Sequence, residues 1–296
     1  MLSLFKKKQR PTRAKKPAAI TKPAPTAASL NDVLQGYSLP SFPETVMNAL
    51  RKFKDPDAAL TDIGVMLERD PGVSIRVLKM VNSAAFGLRK NVSHVGHAIS
   101  LLGRARVEAL VVSVAVRDML PIKNTPWFNA SAFWMLAAQR AALARAFAEE
   151  LHPGTATESF TAGLLQDMAV PVLVDLHKER YGRLYQQYLQ NPMFNLIEAE
   201  RAFMGFDHTS VGKLMARKWQ LPPDLIDAVA GHHGTALGVN VAAAVRIVSD
   251  LRPSDVEKGM ERIAQQGAQH GIAPEVIAEL IPRALQDAKE FYQALR

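Results

Sequence analysis

Residues 70–83 read Asp-Pro-Gly-Val-Ser-Ile-Arg-Val-Leu-Lys-Met-Val-Asn-Ser and mark a helix at both ends. An Asp just before the first turn can accept an orphan backbone N–H there, and a proline in the first helical position gives up an N–H that needs no partner. Val73, Val77, Leu78 and Val81 then recur at helical spacing and make one apolar face. Asn82 and Ser83 close the element, with side chains able to satisfy its last backbone groups or those of the next segment.

The same signals continue on both sides. Pro43 stands where a first turn begins, ahead of Val46, Met47, Leu50 and Phe53, and Ser93 is a candidate cap for the helix after residue 83. A longer apolar helix over 107–119 stops at Pro121, and 121–126 reads as a linker. Asn129 is placed to cap a helix running to Leu151. Helices follow over 158–176, 178–190, 195–204, 207–219, 223–232 and 240–251, with two more to the end. Apolar residues keep three- and four-residue spacing almost throughout, with no sustained alternation of period two, so the expected fold class is all-α. Trp134 and Trp219 are expected in the core, as are Met80, Met119, Met135, Met168 and Met215.

With 296 residues and 48% apolar character, the chain can bury a substantial core. Its formal charge is 36 − 28 = +8, and residues 1–30 alone hold eight Lys/Arg and no Asp or Glu. The body from residue 31 onward is therefore balanced, and the basic character belongs to a Pro/Ala-rich arm that cannot order itself. Within that arm Lys6, Lys7, Lys8, Arg10 and Arg13 are candidate contacts for an anionic membrane surface or partner; a solvated spacer is the plainer reading. A neutral body with no recognisable reading helix argues against specific nucleic-acid binding. The absence of cysteine removes disulfides, thiolate nucleophiles and Cys-based metal sites. The longest near-apolar run, 107–116, is too short to span a bilayer, and no signal peptide is evident, so a cytoplasmic location is expected, with transient membrane contact through the arm.

No phosphate-cradling Gly-rich loop, Walker motif or nucleophile elbow is present. Chemistry would have to come from Asp167, His208, the pair His232-His233, and Asp250. Metal binding needs such donors to converge from neighbouring helices. The plainer reading has Asp207 capping a helix, His208 in its exposed first turn, and His232-His233 at a helix C-terminus, favoured there by the dipole.

In order along the chain, Leu39-Pro40-Ser41-Phe42-Pro43, Asp55-Pro56-Asp57-Ala58, Asp70-Pro71-Gly72-Val73, Asn82-Ser83-Ala84-Ala85-Phe86-Gly87, Gly163-Leu164-Leu165-Gln166-Asp167, Asp207-His208 and His232-His233 closely resemble the signatures of the bacterial HDOD domain, over about 35–235. The resemblance implies an N-terminal helical subdomain, 31–125, packed on an HD-like helical subdomain with C-terminal helices, 126–296, after a basic tail, 1–30.

The family is related to the HD and HD-GYP phosphohydrolases, whose catalytic metal is held by a His, a His-Asp doublet and a distant Asp. Here the resemblance puts Leu136 in place of the first His and Gln166 in place of the doublet's His, with Asp167 and Asp250 as the retained acids. Leu offers no donor and a Gln carbonyl is a weak one, so neither a catalytic residue, a metal nor another cofactor is expected. No Gly-Tyr-Pro element follows His232-His233. The resemblance implies a non-enzymatic signalling module acting through protein contacts, in the company of cyclic-di-GMP turnover enzymes (diguanylate cyclase or phosphodiesterase), histidine kinases or response regulators. The alternative is a residual metal-dependent phosphohydrolase acting on a phosphodiester or nucleotide.

Overall fold

The computed structural model describes residues 41–83, 88, 90–120, 122–234, 240–252 and 256–295. The basic arm, including Lys6, Lys7, Lys8, Arg10 and Arg13, lies outside the described residues. The described chain is helical: α1 (Glu44–Lys54), α2 (Leu60–Glu68), α3 (Pro71–Val81), α4 (Val95–Leu102) and α5 (Arg104–Met119) form a first group. Then come α6 (Ala130–Leu151), α7 (Ala156–Leu165), α8 (Ala169–Gln190), α9 (Leu196–Met204), α10 (His208–Lys218), α11 (Pro223–Gly231), α12 (Asn240–Ser249), α13 (Val256–Gln269) and α14 (Pro274–Leu295). Among the described residues the sole β-type pairing is an isolated bridge between Thr125 and Phe128.

The sequence signals account for these boundaries. Asp70 accepts from the Val73 N–H at 3.1 Å, and Asn129 accepts from the Ala132 N–H at 2.9 Å. Asn82 closes α3 and reaches across to the segment before α4: its amide donates to the Val92 carbonyl at 2.8 Å and accepts from the Val92 N–H at 2.7 Å. Ser93 does not cap α4. His94 occupies the N-cap, and Glu68 of α2 accepts the Val95 N–H at 2.7 Å, so a side chain distant in sequence takes the work expected of a local one.

The expected helix over 158–176 is broken at residues 166–168. Pro171 is the reason. In a continuous helix its ring would clash with the Asp167 carbonyl, whereas in the first turn of α8 its missing N–H costs nothing. The break expected at about residue 177 exists as a kink, with Lys178 at φ 46° and ψ −124°.

Two glycines set how closely the helices approach. A Cβ on Gly64 of α2 would lie 2.6 Å from the Gly96 Cα of α4, and one on Gly163 of α7 would lie 2.9 Å from the Arg140 carbonyl of α6. α6 packs on α7, α12 and α14, α5 packs on α7, and α3 on α14, so one continuous apolar core runs through both groups. Trp134 and Trp219 are buried in it, as are Met80, Met168 and Met215; Met119 and Met135 are half-buried. Trp219 stacks at a tilt on Phe42 (ring centres 5.4 Å apart), and Lys54 of α1 donates to the Gln220 carbonyl at 2.8 Å. The α10–α11 corner is thereby fastened to the start of the N-terminal group. A stretch within Pro153–Gln190 is apolar and long enough to cross a membrane, but 89% of it is buried inside the helical body, which is how a core helix looks.

Candidate functional site

The turn that Pro171 forces between α7 and α8 places Asp167 in the interior. Close α6–α7 packing at Gly163 brings Arg140 of α6 opposite it. Arg140 is only 1% exposed. Its Nη1 donates to Asp167 Oδ2, and its Nη2 donates to the Tyr188 hydroxyl at 3.2 Å and to the Ser249 and Leu251 carbonyls at 3.0 Å each. One guanidinium thus ties together α6, the α7–α8 turn, α8 and the end of α12.

The other oxygen of Asp167 faces two histidines. Asp167 Oδ1 lies 3.4 Å from His208 Nε2 and 3.2 Å from His232 Nε2, and the two Nε2 atoms are 3.2 Å apart. His208 is the first residue of α10, which Asp207 caps by accepting the Ser210 N–H. Its Nδ1 donates to Glu200 Oε2 at 2.7 Å and its backbone N–H donates to the same oxygen at 2.9 Å, while the Tyr181 hydroxyl donates to Glu200 Oε1. His232 follows α11, and its Nδ1 donates to the Val229 carbonyl at 2.8 Å. Carboxylate and carbonyl oxygens only accept, so both rings carry hydrogen on Nδ1, and their Nε2 atoms turn toward Asp167.

Three acceptors at that spacing need positive charge between them, either a proton or a metal ion. Burial disfavours the charged form of His208, but Glu200, the hydrogen bond to Asp167 and the remaining field of Asp167 outweigh it and raise the pKa to about 10. Burial likewise works to raise the Asp167 carboxyl, and Arg140 with the hydrogen bonds from His208 and His232 holds it well below the usual carboxylate range. Glu200, His208, Asp167 and Arg140 therefore alternate negative, positive, negative, positive along one buried chain of contacts. Burial and the neighbouring imidazoles push His233 down, so it stays neutral.

Asp167, His208, His232 and His233 present donor atoms all within 4.8 Å of one another, and the 3.2–3.4 Å edges of the inner triangle match the roughly 3.3 Å ligand spacing of a tetrahedral Zn-type ion. That group fits a transition metal. The ligand set implied for the catalytic metal of the HD enzymes does not fit: Leu136 is an apolar core residue one turn before Arg140, and Asp250 stands outside the group, on the wall of a neighbouring cavity. Gln166 is buried with neither amide atom hydrogen-bonded among the described residues.

The expected exposure of His208 is overturned: it is 0% exposed, because Glu200 from the preceding helix closes over it. Arg140, Glu200 and Tyr181 join the site with no motif to mark them in the sequence. Arg140 shares a helical face with the buried Leu136, Ala144 and Phe147, and Glu200 lies between the buried Leu196 and Met204 at four-residue spacing. A charge on an apolar stripe was the available signal.

A family model for the HDOD domain matches residues 39–235. A curated relative, an uncharacterized protein of Treponema pallidum (strain Nichols), is 24% identical over 209 residues, 70% of this chain and 39% of its own length. The chain thus spans about two fifths of that relative. Among solved structures, a candidate phosphohydrolase from Shewanella amazonensis SB2B aligns with a TM-score of 0.68 at 22% identity, covering 89% of this chain and 98% of that one. An HDOD domain protein of unknown function from Geobacter sulfurreducens aligns with a TM-score of 0.65 at 20% identity, covering 88% and 97%. A candidate signal transduction protein from Marinobacter aquaeolei VT8 gives 0.67 at 18% identity, covering 92% of this chain and 62% of that one. At these identities the likeness is one of fold. The family match extends over most of the helical body and takes in Asp167, His208, His232 and His233, and the chain belongs to the HDOD family.

Proposed function

We propose that the chain is a regulatory module of signal transduction that works by engaging a partner protein and does not turn over a phosphoester. The observation that carries this reading is the Arg140 guanidinium on Asp167. In an HD-type hydrolase that carboxylate serves a metal, which activates water as a Lewis acid. Here a fixed organic cation takes one of its oxygens and is itself held by Tyr188 and two carbonyls. A guanidinium offers no open coordination position and cannot generate hydroxide. Gln166, adjacent to Asp167 in sequence, and Leu136, one turn before Arg140, carry no anionic group.

The partner is expected to be a signalling protein: a cyclic-di-GMP cyclase or phosphodiesterase, a histidine kinase, or a response regulator. The resemblance to a candidate signal transduction protein supports that company. The basic arm is proposed to give reversible contact with anionic lipid at the cytoplasmic face. Affinity purification with full-length and arm-deleted protein tests the partner. Recovery of one signalling protein by both forms supports the reading, and recovery of none overturns it. Co-sedimentation with anionic vesicles tests the arm: binding that survives deletion of residues 1–25 rules out its role.

One observation favours a second reading, a residual metal-dependent phosphohydrolase. The acceptor triangle of Asp167, His208 and His232 has tetrahedral spacing, with His233 beside it. Stoichiometric bound metal, together with turnover lost in Asp167→Ala, would establish that reading over the first.

A further inference from the structure

A cavity of about 710 Å³ adjoins the histidine cluster, between the 191–197 segment, the end of α12 and α13, with His232 and His233 on its wall. Its size is that of a small-molecule site, roughly 300–1,000 Å³. Arg246 and Arg252 both line it, against the single carboxylate of Asp250. Neither guanidinium is ion-paired with a carboxylate among the described residues. Arg246 is partly buried, its Nη1 donates to the Gly234 carbonyl at 3.0 Å, and burial alone lowers its pKa. Arg252 is 8% exposed. Its guanidinium lies 4.1 Å over the Tyr188 ring, and its Nη1 donates to the carbonyls of Tyr188, Asn191 and Phe194 at 3.3, 2.7 and 3.3 Å. Its Nε has no partner among the described residues.

Two guanidiniums, one buried and one partly buried, face a single carboxylate here, and an oxyanion brought between them gains charge-assisted hydrogen bonds from both. The first turn of α9, residues 195–197, sits on the same wall and presents the positive end of that helix. Tyr188, Phe194 and Ile197 supply apolar surface for a body larger than a bare ion.

We propose that this cavity binds a small organic phosphate, gripped by Arg246 and Arg252, as a ligand that is recognised and left intact. The last clause rests on the non-catalytic reading of the neighbouring cluster; the binding itself does not. Such a ligand would bridge the 191–197 segment, the end of α12 and α13; the Arg140 and Arg252 contacts already hold the first two to the core, so occupancy would change the surface offered to a partner.

Calorimetric titration of the full-length protein with AMP, inorganic phosphate and citrate, at matched ionic strength, tests it. The expected result is binding of AMP, weaker binding of the other two, and AMP recovered unchanged. Arg246→Gln should weaken AMP about tenfold or more through loss of a charge-assisted contact. Arg246→Lys should retain most of the affinity, and Arg183→Gln, an exposed guanidinium elsewhere on α8, should leave it unaltered. Absence of AMP binding, equal weakening by Arg183→Gln, or citrate binding as tight as AMP overturns the site and leaves the proposed function standing. AMP bound and hydrolysed overturns both the intact-ligand clause and the non-catalytic reading.

Discussion

Replacing Arg140 with Met tests the charge cluster at its centre. The substitution keeps the stem volume and removes the guanidinium that faces Asp167, Tyr188, Ser249 and Leu251. Removing one partner of a buried ion pair typically costs about 3–5 kcal/mol, because the remaining charge is stranded. The two carbonyls and the hydroxyl lose their donor as well, which places the expected loss at the upper end of that range. Against a domain stability of roughly 5–15 kcal/mol, such a variant should be folded but fragile. Urea denaturation at pH 7, followed by far-UV circular dichroism, measures the change. Arg140→Met/Asp167→Leu removes both charges together and should be less damaged than the sum of the two single variants by about 2 kcal/mol or more. Arg140→Lys keeps the charge but not the planar fork, and should recover only part of the loss. A cost below about 1 kcal/mol for Arg140→Met, or simple additivity in the double variant, would refute the view that this guanidinium is the fixed counter-charge of Asp167.

Trp219→Ala should destabilise by about 3–5 kcal/mol, since the indole is 2% exposed and stacks on Phe42; a wild-type-like melting temperature would contradict its role at the α10–α11 corner. Asn82→Ala should cost about 1–3 kcal/mol, because it strands both the N–H and the carbonyl of Val92, and the same denaturation assay reads it. His208 has its pKa raised from 6.5 to about 10, so its contribution is fully present below about pH 6.5 and is lost as pH rises toward 10. Stability measured across that window should fall in the wild type and should fall less in His208→Gln.

Helix positions were readable because their causes are local. Asp70 before Pro71, and Asn129 before an Ala-rich apolar run, act within one turn, and each caps as its neighbours suggest. The failures came where a distant residue decides. Ser93 lost its capping role to Glu68, which folding brings to the Val95 N–H, and His208 is buried only because Glu200 closes over it. The break at 166–168 could have been read from Pro171, which an apolar periodicity spanning 158–176 concealed. At the site, the His and Asp residues themselves pointed to Asp167, His208, His232 and His233, which do converge, and also to Asp250, which the resemblance took as a retained acid and which does not join them. Arg140 escaped notice because a lone arginine in an alanine-rich helix looks like a surface charge until its phase is compared with Leu136 and Phe147.

The proposed role of Asp167 is to answer to a guanidinium and not to a catalytic metal. Its most direct test is turnover of bis(p-nitrophenyl) phosphate by the full-length protein in the presence of Mn²⁺, Fe²⁺ or Mg²⁺. The expected result is no release above that of the metal solution alone. Metal-dependent release that disappears in Asp167→Ala would contradict that role.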